Sequence, residues 1–93
     1  MAQNREAYLV SYDVDTVPPT ALIEELKNSI GWWHYLDRTW IIVRNETIYE
    51  LQDLLDEKLG TQGRLLIITA RTPVGGWLPK KAYDWIRRHV PDA

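Results

Sequence analysis

Thr39–Gly60, TWIIVRNETIYELQDLLDEKLG, changes its period halfway along. Thr39 to Arg44 is aromatic and β-branched, with Trp40 and Ile42 on one side of an extended chain and Ile41 and Val43 on the other. From Ile48 onward the apolar residues recur at helical spacing instead, as Ile48, Leu51, Leu55 and Leu59. Thr47, with Glu50 three residues later, forms a capping box that opens this helix, and Gly60 supplies its end. A strand passing directly into a capped helix is the unit from which the neighbouring segments are read.

Upstream, Asp37 and Arg38 fit a tight connection back to an aromatic run, Trp32 to Leu36, so the two runs predict a hairpin. Before it, Leu22, Ile23, Leu26 and Ile30 repeat at helical spacing. Pro18 and Pro19 suit the first turn of that helix, where amide donors are dispensable, and Gly31 is expected to terminate it. Tyr8, Val10, Tyr12 and Val14 alternate with Leu9, Ser11 and Asp13, which predicts a strand.

Downstream, Thr61 to Gly63 is expected as a loop and Leu65 to Ala70 as a buried strand. Arg71 to Gly76 (RTPVGG) is a Pro/Gly-rich connection. Pro79 opens a last helix with Ala82, Trp85, Ile86 and His89 on its apolar side, and Pro91 to Ala93 is expected to fray. Strand, helix, strand, strand, helix, strand and an extra helix is the split βαβ order of the ferredoxin-like fold. The expected class is therefore α+β, a βαββαβ sandwich with an additional C-terminal helix. Thr39 to Val43 and Leu65 to Ile68 are apolar on both sides, so the sheet face away from the first two helices also needs cover. The last helix and a second copy of the chain are expected to share it, making a homodimer.

The chain of 93 residues is expected to form one domain over 1–93, with no repeat or linker. Hydrophobic residues make up 45% and charged residues 26%, values that argue against disorder. Apolar runs are too short for a transmembrane helix, so no membrane partner is expected. Without cysteine there is no disulfide, thiolate zinc site or thiol nucleophile. Met1 to Glu6 carries Arg5 but no apolar core of a signal peptide, and a cytoplasmic location follows as the simplest expectation. Residues 1–62 hold five Lys/Arg against eleven acids, a balance of −6, whereas residues 63–93 hold six against two, a balance of +4. That polarity can steer an anionic partner toward the C-terminal part.

The C-terminal segment holds the clearest candidate ligand-binding residues. Gly75 and Gly76 permit close backbone approach, and Lys80, Lys81, Arg87 and Arg88 cluster on the helix that follows, interrupted by Asp84. The competing structural roles are solvation for the lysines and a response to the helix dipole for the arginines. Trp77 and Trp85 are expected to pack that helix down rather than to stack on bases. Asp13 closes an apolar strand and Asp15 follows, a pairing that can take magnesium or simply make a turn. His34 and His89 stand at no metal-ligand spacing, and no Gly-x-Ser-x-Gly elbow, Walker loop or dinucleotide fingerprint is present.

Three stretches, Tyr8–Asp13 (YLVSYD), Gly31–Val43 (GWWHYLDRTWIIV) and Gly75–Ile86 (GGWLPKKAYDWI), together resemble small prokaryotic proteins labelled SinR-like. The first strand is also remotely similar to that of the CRISPR-associated dimeric ferredoxin-like nuclease family. That second resemblance implies that Asp13, the aspartate ending the strand, lies near a dimer axis and serves metal-dependent nuclease chemistry, as a catalytic and magnesium-binding residue. The chain departs from that family directly after it, with Asp15, Thr16, Val17, Pro18 and Pro19 where basic residues are usual. The leading expectation is a noncatalytic or weakly catalytic homodimer that binds nucleic acid or another phosphate-bearing ligand, in prokaryotic mobile-element or defence biology by resemblance. The alternatives are a protein-interaction module with an aromatic surface and a divalent-metal-dependent nuclease using Asp13.

Overall fold

In a computed structural model, which describes residues 5–15, 17–60 and 63–93, seven elements follow in chain order. They are β1 (Glu6–Val14), α1 (Thr20–Lys27), β2 (Gly31–Leu36), β3 (Thr39–Arg44), α2 (Ile48–Leu59), β4 (Gly63–Thr69) and α3 (Lys80–His89). The four strands form one antiparallel sheet in the order β2-β3-β1-β4. The fold is thus α+β. Val10 of β1 lies opposite Trp40 of β3 on one side and Ile67 of β4 on the other, so alternate positions of the three strands share a face.

The first face carries Tyr8, Val10, Tyr12, Trp40 and Ile42, and α1 and α2 lie on it with Leu22, Leu26, Leu51, Leu55 and Leu59. These residues are buried because the apolar stripes of both helices meet the period-2 stripe of the sheet. The indole of the fully buried Trp40 donates to the Tyr12 hydroxyl at 3.1 Å, and the Tyr8 hydroxyl donates to the Glu46 carbonyl at 2.7 Å. Both aromatic polar groups therefore enter the core paired. The capping box at α2 forms as the spacing predicts: the Glu50 amide donates to Thr47 Oγ1 and the Thr47 amide to Glu50 Oε1.

A buried ion cluster closes one margin of this core. Arg44, whose side chain is 7% exposed, donates to the carboxylates of Glu25 and Glu46, to the Glu25 carbonyl and to Ser29 Oγ. Hydrogen bonding from the guanidinium is the main cause that holds the Glu46 carboxyl below its ordinary pKa, and the same bonds raise that of Arg44. The β3 residue that ends the strand thereby ties α1 to the loop before α2.

The second face is shared out unequally. Ala7 and Ile41 meet Ile86 of α3 and Val90, which caps it, with Trp33, Ala70, Leu78, Tyr83 and Trp85 around them. Leu66 and Ile68, on the same face farther along β4, stay 56% and 49% exposed. α3 thus covers part of the face whose apolar character the sequence exposes.

Three sequence expectations need correction here. The first helix ends at Lys27 rather than at Gly31, because the Ile30 amide already donates to the Val43 carbonyl and so belongs to the sheet. Ile30 is consequently half exposed, and Gly31 opens β2 beneath Trp85 and His89 of α3. The buried strand expected at Leu65–Ala70 spans Gly63–Thr69 and has no buried residue, because β4 is an edge of the sheet; Thr61 and Gln62, expected in a loop, lie outside the described residues, as do residues 1–4 of the segment read for a leader. The C-terminal tail is pinned rather than frayed. Thr72 donates its amide to the Pro91 carbonyl at 2.9 Å and accepts from the Ala93 amide at 3.1 Å, and its hydroxyl bonds the Asp92 carboxylate. The cause is long-range pairing, which no local periodicity encodes.

Candidate nucleic-acid interface and the Asp13 cluster

α3 starts after Pro79, which acts as its N-cap without any side-chain cap. The Ala82 amide already bonds the Pro79 carbonyl, so those of Lys80 and Lys81 have no partner within the helix. Ala82, Ile86 and Val90 recur every four residues and are buried against the sheet, which fixes the rotation of the helix. At about 100° per residue that rotation gathers Lys80, Lys81, Arg87 and Arg88 into an outward arc of roughly 120°, with Asp84 inside it. All four cationic residues are exposed. Asp84 pairs with Arg87, whereas Lys80, Lys81 and Arg88 make no ion pair among the described residues. The four cations therefore share one exposed arc, with Asp84 between them paired to Arg87.

The glycines before the helix play different parts. Gly76 has φ 140°, a conformation open to glycine, and its carbonyl accepts from the Tyr83 hydroxyl, which fastens the loop to α3. Gly75 is exposed, and a Cβ there would meet nothing within 4 Å, so no close backbone approach is built at that position. The two tryptophans also part company. Trp85 is half-buried and stacks on His89 with ring centres 4.2 Å apart. Trp77 is fully exposed, against the expectation that it packs the helix down. It precedes Leu78 and Pro79 and so falls outside the helical period, and Leu78 makes the sheet contact instead.

Asp13 sits at the far end of the second face with its side chain 69% exposed. Its Oδ1 is 3.7 Å from Arg38 Nη1 and its Oδ2 is 3.9 Å from Arg64 Nη1. Arg64 is its cross-strand partner in the β1–β4 register, and Arg38, at φ 61° in the hairpin turn, donates to the Val14 carbonyl at 2.7 Å. An open groove of about 200 Å³ beside them is lined by Ser11, Tyr12, Asp13, Arg64, Leu65 and Leu66. Each carboxylate oxygen thus faces a guanidinium, and no group of three or more His, Cys, Asp or Glu among the described residues could hold a metal ion. Within one copy of the chain, this donor set does not fit magnesium, which wants hard oxygen ligands in near-octahedral array. Asp15 is exposed nearby. Neither Arg38 nor Arg64 stands out in the sequence as a site residue; the available signal was the placement of Arg64 and Asp13 on strands that pair.

The β2 edge presents the chain's other aromatic surface. Trp32, Tyr35 and Leu36 are 41%, 62% and 47% exposed. His34 lies flat against Trp40 with ring centres 3.9 Å apart, and burial is the main cause that lowers its pKa from the ordinary imidazole value. His89 has its Nδ1 at 2.9 Å from the Trp85 carbonyl, a contact within its own helix. No helix among the described residues is long and apolar enough to cross a membrane. Set against known proteins, the chain matches no family model, no curated protein and no solved structure.

Proposed function

We propose that this protein is a noncatalytic or weakly catalytic homodimer that binds nucleic acid, or another phosphate-bearing ligand, through the outward face of α3. The observation that carries this reading is the alignment of Lys80, Lys81, Arg87 and Arg88 on one exposed arc of a helix whose opposite side is locked to the sheet. A rigid row of cations gains from phosphate neutralisation by releasing condensed counterions, whatever the base sequence. The test replaces all four by Gln, which keeps helix propensity. Affinity for nucleic acid should fall across sequences, and the salt slope should flatten by about 0.7–0.9 per lost phosphate contact. Wild-type protein with no salt-dependent binding to DNA, RNA or nucleotides would remove the reading.

The strand order β2-β3-β1-β4, with α1 and α2 on a single face, supports the ferredoxin-like assignment. The exposed Leu66 and Ile68 beside α3 support a second copy docking on the remaining face. Sedimentation of wild-type protein and of Leu66→Arg tests that, with a dimer expected for the first and a monomer for the second. The SinR-like resemblance and the remote CRISPR-associated one suggest a cytoplasmic, prokaryotic mobile-element or defence setting. Magnesium-dependent nuclease activity at Asp13 is the weaker part, since Arg38 and Arg64 stand where further oxygen ligands would be needed. A protein-interaction module is favoured instead by the exposed Trp32, Tyr35 and Leu36, and salt-tolerant binding lost on Trp32→Ala would mark it.

A further inference from the structure

We infer that Trp77 is a base-stacking platform and that the ligand of the α3 face is single-stranded nucleic acid. This rests on the nucleic-acid reading of that face and narrows it. Trp77 is 100% exposed, and no other large hydrophobic side chain of the described residues is so fully in water. The nearest apolar duties are already filled: Leu78 and Trp85 pack α3 to the sheet. An indole left wholly in solvent offers both faces of its ring, and beside a row of cations those faces are placed to take a base.

The loop places this indole beside the cations. Gly76 is held by the Tyr83 hydroxyl through its carbonyl, so the segment next to Trp77 is anchored to the middle of α3. Trp77 is three residues before Lys80, which limits their Cα separation to about 11 Å along the chain. A ring with two free faces therefore stands at the end of a row formed by Lys80, Lys81, Arg87 and Arg88, whose charges track a backbone while the ring takes a base. In a duplex each base already stacks on its neighbours. An unpaired base has a free face, so the combination of ring and cations selects single strands.

The same pairing of exposed tryptophan and cations could meet an anionic lipid surface, and the test separates the two. Wild-type protein, Trp77→Ala, Trp77→Phe and the fourfold Gln variant are titrated against a labelled oligothymidylate, a duplex, and vesicles of phosphatidylserine and phosphatidylcholine. Wild-type protein should prefer the oligothymidylate, and Trp77→Ala should weaken that binding about 5- to 150-fold while Trp77→Phe restores much of it. Duplex binding should change by less than about twofold in Trp77→Ala, because it depends on charge alone. Thermal denaturation of Trp77→Ala should match wild type, since the side chain contacts no core residue. If Trp77→Ala binds single strands as wild type does while the fourfold variant loses salt-dependent binding, the stacking inference fails and the parent reading stands. If wild-type protein binds neither nucleic acid, both fail. Trp77-dependent binding to vesicles without binding to the oligothymidylate overturns the inference in favour of a lipid surface.

Discussion

Arg44→Met is the substitution with the largest expected effect on stability. Methionine preserves much of the apolar stem and deletes the guanidinium, which is 7% exposed and bonds two carboxylates. Glu25, 17% exposed, is then left with a buried and uncompensated charge, whereas Glu46, 33% exposed, can turn toward water. Removing one member of a buried pair costs about 3–5 kcal/mol, and the freedom of Glu46 favours the lower end. For a domain of this size 3 kcal/mol corresponds to a fall in Tm of roughly 12–24 °C. Scanning calorimetry at fixed protein concentration reads it directly, because self-association would otherwise move Tm. Arg44→Lys should fall between the two, as one ammonium cannot replace a fork that reaches Glu25, Glu46 and Ser29 together. Glu25→Gln in the Arg44→Met background should recover part of the loss. The pH dependence adds a second readout. Glu46 is depressed in the folded protein, so its contribution is full above the ordinary carboxylate range and fades as pH falls through the folded value. That fading should shrink in Arg44→Met. A Tm within about 2 °C of wild type, where the size scaling makes 2 °C less than 1 kcal/mol, would refute the account of Arg44 as a buried organiser.

Other outcomes follow from smaller features. Thr47→Ala removes the cap of α2 and should cost about 0.5–2 kcal/mol in urea denaturation, with the helix content of the folded protein unchanged. Asp13→Asn should leave stability within about 1 kcal/mol of wild type, because its partners are 3.7 and 3.9 Å away on an exposed surface; equal magnesium affinity of the two proteins by calorimetry would remove the metal role of Asp13. His34 has a lowered folded pKa, so stability should be full above the ordinary imidazole value and decline as pH falls from there through the folded value. His34→Gln should abolish that decline, as followed by Tm across mildly acidic buffers, and an unchanged profile would assign it elsewhere.

What the sequence disclosed was local. β3 falls at Thr39–Arg44 and α2 at Ile48–Leu59 as the alternation, the capping box and Gly60 predict, since each signal is complete within a few residues. The cationic arc of α3 was legible for the same reason: the spacing of Ala82 and Ile86 sets the rotation that turns Lys80, Lys81, Arg87 and Arg88 outward. Where the reading went astray, the deciding partner lay far along the chain. Ile30 leaves the helical pattern because Val43 claims its amide, and Pro91 to Ala93 are ordered because Thr72 waits for them. Arg64 stands beside Asp13 through strand pairing, which the order of elements suggests but individual side chains do not announce. Trp77 was misjudged because its residue type argues for burial, and only the end of the helical period before Leu78 puts it in water.

The three hydrogen bonds between Thr72 and the segment Pro91 to Ala93 have a mechanical consequence. They turn the chain from Thr72 to Asp92 into a closed circuit with α3 inside it. A pull applied at Ala93 loads Thr72, next to the last strand, before it reaches the helix. The cationic surface is consequently shielded from tension at the terminus, and α3 cannot be peeled away from its C-terminal end until that buckle opens. A load on the middle of α3 instead divides between the buckle and the Gly76–Tyr83 tie.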